Sequence, residues 1–190
     1  MPLDAVADVA RMIITECAVS GVHLLELERR ADERGYFARM WCEQELQRRS
    51  LQSRVAQVNV QFSPTPGTLR GLHYQEAPFR ETKTVRCNRG RIFDVAVDLR
   101  AESPTFRQWF GLELAAADGR MLYVPEGCAH GYITLEADTE VMYLTSEFYA
   151  PGSARGVRFD DPAFDIQWPI PALLVSDADR TWPLFEESSR

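Results

Sequence analysis

Cysteine is scarce and scattered. Cys17, Cys42, Cys87 and Cys128 form no CxxC pair, so no zinc ribbon or dithiol redox motif is present, and four buried or half-buried thiols are the simpler reading. No apolar stretch approaches the roughly 18 residues of a membrane span, because Arg, Glu or Asp interrupts each one. Met1-Pro2-Leu3-Asp4-Ala5 lacks the basic region and long apolar segment of a secretion signal, so a cytoplasmic protein is expected and a membrane partner is not. Positive charge is short as well: Lys and Arg total 21 against 28 Asp and Glu, a net charge of −7. That is the wrong sign for a domain built to hold a nucleic acid. Neither G-x-G-x-x-G nor G-x-x-x-x-G-K-[ST] occurs, which removes the Rossmann fingerprint and the P-loop and leaves any phosphate to be held by side chains.

What is present suits one soluble domain over residues 1–190, with residues 1–11 as an N-terminal extension. The chain has 190 residues, 45% hydrophobic and 26% charged, and a chain of that size buries roughly 70% of its unfolded surface without a disulfide or metal staple. Strand patterns dominate. In Arg91 to Arg100, Phe93, Val95, Val97 and Leu99 share one face while Asp94, Asp98 and Arg100 share the other, the signature of a half-buried strand. Glu140 to Tyr149 alternates more loosely, with Val141, Tyr143, Thr145, Glu147 and Tyr149 on one side. Further strands are expected at Val22 to Leu27, Ala56 to Phe62, Thr82 to Asn88, Trp109 to Ala115 and Met121 to Val124, each bounded by Gly, Pro, Asn or Asp. Helical spacing is confined to Asp4 to Met12 and Glu43 to Leu51, and Ser63 to Gly67 reads as a tight loop. Strands so short and regular, without βαβ alternation, predict an all-β barrel or sandwich.

Three histidines invite individual readings. His23 lies in the apolar run Val22-His23-Leu24-Leu25 and is read as structural. His73 sits in Arg70-Gly71-Leu72-His73-Tyr74-Gln75, where Gly71 permits close backbone approach and Arg70 offers a fork for phosphate or carboxylate. His130 follows Pro125-Glu126-Gly127-Cys128-Ala129, read as a turn between strands that resembles the second motif of the cupin superfamily. Metal-binding cupins use a His-x-His pair, but the position two after His73 is Gln75, so no metal site is expected and an oxygenase is disfavoured.

Several segments occur in the order of one family: Arg70 to Gln75, Lys83-Thr84-Val85-Arg86-Cys87, Gly90 to Arg100, Ser103-Pro104-Thr105-Phe106, Pro125 to Tyr132 and Ile166-Gln167-Trp168-Pro169. From about Met12 to Arg180 the chain resembles the dTDP-4-dehydrorhamnose 3,5-epimerases, metal-free cupins. The resemblance implies a cupin-type jelly roll with a few short helices, a homodimer, no cofactor, and a nucleotide-diphosphate-linked 4-keto-6-deoxyhexose as substrate, inverted at C3, C5 or both. Both carbons flank the C4 ketone, so their protons are acidified by delocalisation into an enolate. That reaction needs a base on one face, an acid on the other and a cation near the oxygen.

By this resemblance His73 is the base, since an imidazole titrating near 6.5 accepts a proton at neutral pH. Asp179 is the carboxylate behind it, with Asp177 the near competitor. Tyr143 is the acid, with Tyr149 the alternative, and Lys83 is the cation beside the ketone, where such a group is worth roughly 3 to 4 kcal/mol on an enolate-like transition state. Arg34, Arg70 and Arg180 match diphosphate-binding positions, and Gln57, Asn59 and His130 match the ligand site. Two departures stand out: Arg39 and Ala154 occupy positions where the family has glutamates. Arginine can donate to cytosine but cannot accept the thymine N–H, which suggests a CDP-sugar beside the dTDP-sugar. The same residues leave open a 3,4-ketoisomerase and a non-catalytic sugar-nucleotide-binding cupin.

Overall fold

A computed structural model describes residues 11–185. The expected helix over Asp4 to Met12 lies outside them except for its last two residues, and Met12 opens a strand instead. In chain order the elements are β1 (Met12–Glu16), β2 (His23–Leu27), β3 (Arg30–Asp32), β4 (Gly35–Phe37), α1 (Glu43–Gln47), β5 (Gln57–Ser63), β6 (Thr68–Gln75) and β7 (Lys83–Arg89). They continue with β8 (Arg91–Asp98), β9 (Trp109–Ala115), β10 (Arg120–Val124), β11 (Cys128–Thr134), β12 (Thr139–Thr145), β13 (Ala154–Gly156), β14 (Leu174–Val175) and α2 (Asp177–Thr181).

Two sheets face each other in the jelly-roll manner. The first runs β1-β2-β10-β7-β12-β5; the second runs β13-β6-β11-β8-β9, with β14 added to β6. All pairs are antiparallel except β14 on β6, and β3 and β4 form a separate hairpin. Between the sheets Val85, Cys87, Ile92, Ala96, Leu114, Leu122, Tyr132 and Val141 make a core whose members are at most 3% exposed. Outside the second sheet, Phe164, Ile166, Trp168 and Phe185 of the C-terminal segment cover Leu72, Val95, Val97 and Ala129. Outside the first, Leu46 of α1 is fully buried with Trp41 and Leu51 near Ile14, Leu25 and Met121. Leu46 therefore anchors α1, whose other residues remain polar.

Strand β8 is not half-buried. Its apolar face lies under the C-terminal segment and its acidic face points into the barrel, so Asp94 and Asp98 are both fully buried. Asp98 survives there because Arg100 Nε and Nη2 donate to it at 2.7 Å each, joined by the Ser103 and Thr105 hydroxyls. Burial alone would raise the Asp98 carboxyl, but these bonds outweigh it and hold it below the usual carboxylate value. A depressed folded value adds stability above the unfolded pKa of about 3.9, which is lost as pH falls through the folded value. Arg100→Ala leaves the buried charge short of its partner, and we expect a loss of about 3 kcal/mol in urea unfolding at pH 7. The variant should also lose less stability than the parent between pH 5 and pH 2.

Two further segments depart from expectation. Residues 128–134, read as the far side of a turn, form β11, every residue of which is buried. A strand covered on both faces shows no alternation. Residue 149 is no longer in a strand, because β12 ends at Thr145.

Candidate functional site

Strands β6 and β11 approach so closely that glycine is required. A Cβ on Gly71, at φ +124°, would lie 2.6 Å from Gly131 Cα and 2.8 Å from the His130 carbonyl oxygen. This crossing places His73 opposite His130 in the antiparallel register, at the mouth of a cavity of about 920 Å³ between the sheets. His73 keeps 44% of its side chain exposed and is accessible from that cavity.

The carboxylate behind His73 comes from the far end of the chain. Parallel pairing of Leu174 and Val175 with Thr68 and Leu69 lays the C-terminal segment along β6. Ser176 then caps α2, its Oγ accepting the Asp179 N–H at 3.1 Å, which fixes Asp179 in the first turn. Asp179 Oδ1 lies 2.6 Å from His73 Nε2, and Oδ2 accepts the Gly71 N–H at 3.2 Å. Burial opposes ionisation of Asp179, but these hydrogen bonds and the Ser176 contact win, and its carboxyl lies below the usual value. Asp177 is exposed on the first turn of α2, and it is Asp179 that meets the imidazole.

The opposite wall is the inner face of the first sheet. Gln57, Asn59 and Gln61 alternate along β5, while Tyr143 and Thr145 stand on β12 in register with Asn59 and Gln57. Burial pushes the Tyr143 phenol up, Glu81 adds to the rise and Arg70 opposes it. Lys83 Nζ donates to the His73 carbonyl oxygen at 3.1 Å and pairs with Glu81 Oε1 at 3.2 Å. Arg70 lines the cavity and reaches Ser63 Oγ and the Phe62 carbonyl. His130 is 2.7 Å from Asp94 Oδ1, which fixes its ring against the cavity wall. Among the described residues no group of three His, Cys, Asp or Glu side chains converges to hold a metal ion.

The fold thus gathers His73, Asp179, Tyr143, Lys83, Gln57, Asn59, Arg70 and His130 around one cavity. Arg34, Arg39 and Arg180 are not in its wall. Arg34 is paired with Asp32 on the β3-β4 hairpin, Arg39 with Glu45 at 3.4 Å, and Arg180 Nε bonds the Val175 carbonyl oxygen. His23, read as structural, lies outside the cavity wall: Nδ1 meets the Gly21 carbonyl oxygen and the ring stands edge-on to Tyr123. Other residues of the wall have no role assigned from the sequence, among them Gln61, Glu81, Trp182 and Arg155. Gln61 extends the polar face of β5 and Glu81 lies two residues before Lys83, so period-two counting finds both. Trp182, edge-on to His73 at 6.5 Å, and Arg155, paired with Glu76, carry no local signal.

The sequence matches the family described as dTDP-4-dehydrorhamnose 3,5-epimerase over residues 16–187. A dTDP-4-dehydrorhamnose 3,5-epimerase of Sinorhizobium fredii is 39% identical over 173 residues, covering 90% of this chain and 89% of its own. The crystal structure of the Bacillus anthracis enzyme of that name, with TDP and PPi bound, superposes with a TM-score of 0.88 at 39% identity, covering 92% of this chain and 100% of the other. A 4-keto-6-deoxy sugar epimerase from the novobiocin gene cluster of Streptomyces spheroides gives a TM-score of 0.85 at 34% identity over 92% and 87% of the two chains. This chain, with its cavity between the two sheets of a jelly roll, belongs to the dTDP-4-dehydrorhamnose 3,5-epimerase family.

Proposed function

We propose that the protein epimerises a nucleoside-diphosphate-linked 4-keto-6-deoxyhexose at C3, C5 or both. The observation that carries this reading is the His73 and Asp179 pair, 2.6 Å apart, opening on a cavity that also holds Lys83 and Tyr143. The ring nitrogen bonded to Asp179 is occupied, so the other accepts the proton from the carbon beside the ketone. Asp179 then stabilises the imidazolium. Lys83 offsets the charge that develops on the ketone oxygen, and Tyr143, on the facing sheet, returns a proton to the opposite side. Arg70 and His130 are suited to the diphosphate.

A dTDP-sugar is the first choice of substrate. Of the two departures that suggested cytosine, Ala154 lines the cavity but offers no polar group, and Arg39 is paired with Glu45 outside this chain's own cavity. We further read the protein as a homodimer. Val58 and Val60 on edge strand β5 are 57% and 58% exposed, an apolar row that a second copy would cover. Arg34, on an outward hairpin beside the exposed Tyr36 and Phe37, would then meet diphosphate only in the partner's cavity. Sedimentation at twice the chain mass is expected. All four cysteines are free, which suits a reducing cytoplasm, and among the described residues no helix is long and apolar enough to cross a membrane.

The test is incubation with 4-keto-6-deoxyglucose linked to dTDP and, separately, to CDP, followed by proton NMR of the sugar. Altered couplings at C3 or C5 of the dTDP-sugar are expected. An unchanged sugar in both arms would refute the reading, and a migrated ketone would assign the ketoisomerase reaction instead.

A further inference from the structure

Glu81 is a carboxylate in the cavity wall that the chemistry above does not use. Its side chain is 9% exposed and that of Lys83 12%, so the pair is largely withdrawn from solvent. Enclosing an ion pair costs desolvation that a surface pair avoids, and a neutral side chain would fill the same position without that cost. Lys83 is also the only lysine of the chain, every other basic side chain being arginine. A flexible four-carbon stem needs external contacts to hold its charge in one place. Here there are two: Glu81 Oε1 at 3.2 Å and the His73 carbonyl oxygen at 3.1 Å.

We propose that Glu81 is a positioning residue for the reaction at this site, fixing the Lys83 ammonium between its own carboxylate and the backbone of the base, so that base and cation are held as one unit. This rests on the epimerase reading. The same negative charge acts on the acid. The groups that face Tyr143 are Glu81 and Lys83 from the β7 side, Arg70 from β6, Tyr132 from β11 and neutral Asn59 from β5. Of these Glu81 disfavours a phenolate and Arg70 favours one, on top of the larger effect of burial.

The test compares Glu81→Gln and Glu81→Asp with the parent. For Glu81→Gln we expect kcat to fall about tenfold while KM stays within about threefold, because the cation is misplaced rather than the sugar released. The alkaline limb of kcat should move to lower pH, because the phenol loses its proton sooner once the Glu81 charge is gone. Glu81→Asp keeps the charge and should retain the limb. In a Lys83→Met background, Glu81→Gln should cost little more, since the two residues act together. Unchanged kcat or an unmoved limb in Glu81→Gln overturns the proposal. The Tyr143 titration, followed by NMR of ¹³Cζ-labelled tyrosine without substrate, separates this from the reaction itself. A titration moved to lower pH in Glu81→Gln, in a protein that leaves the sugar untouched, would fault the epimerase reading and still support the placement of the Glu81 charge.

Discussion

A His73→Ala protein is expected to lose about 10² to 10⁴ of its turnover while binding the nucleotide sugar nearly as well as the parent. The reason is local. Two histidines in the cavity wall carry a buried carboxylate on one ring nitrogen, and His73 is the open one, its side chain 44% exposed against 9% for His130. Its removal leaves Asp179 with the Gly71 N–H and Ser176, so the fold should hold, and the diphosphate-binding candidates Arg70 and His130 are untouched. The loss should therefore appear in kcat, measured by NMR of the sugar, with affinity by calorimetry within a few fold. Turnover within tenfold of the parent would place the base elsewhere.

The second large effect separates the two faces of the carbon. Tyr143→Phe should lower formation of the inverted sugar by about 10² or more, the scale for a positioned acid. Removal of the proton should continue within about tenfold, since His73 and Lys83 stand on other strands. A phenol is a weak acid in water, but burial pushes that of Tyr143 higher still, so it remains protonated well above neutral pH. The sign follows: the parent's activity is retained up to the raised value and lost as pH climbs through it, whereas the variant should show no such limb. Tyr149, 65% exposed beyond the end of β12, also borders the cavity, and a Tyr149→Phe enzyme with the larger loss would transfer the role to it.

Much of the scaffold was legible because its physics is local. Alternation in residues 91–98 and 57–62 marks β8 and β5, and the polar row of Gln57, Asn59 and Gln61 opposite Val58, Val60 and Phe62 already separates a cavity face from an outer face. What alternation cannot report is a strand buried on both sides. The inward Asp94 and Asp98 of β8 look solvent-facing until Arg100, Ser103 and Thr105 are seen around one of them and His130 beside the other. β11, sealed between neighbours, looks like a turn. The meeting of His73 with Asp179 depends on a contact across 106 positions that no spacing encodes; only the order of motifs pointed to it. Arg34, Arg39 and Arg180 show the opposite limit, since matching positions alone do not place a guanidinium in the cavity of its own chain.

The most direct test of the central claim, that His73 withdraws a proton from a carbon next to the sugar ketone, is solvent isotope wash-in. The protein is incubated with dTDP-linked 4-keto-6-deoxyglucose in deuterium oxide and the sugar signals at C3 and C5 are followed over time, beside His73→Ala. The account predicts that deuterium enters at C3, C5 or both with the parent and at neither carbon with the variant. Incorporation at the same rate in both proteins, or inverted sugar that carries no deuterium, would contradict it.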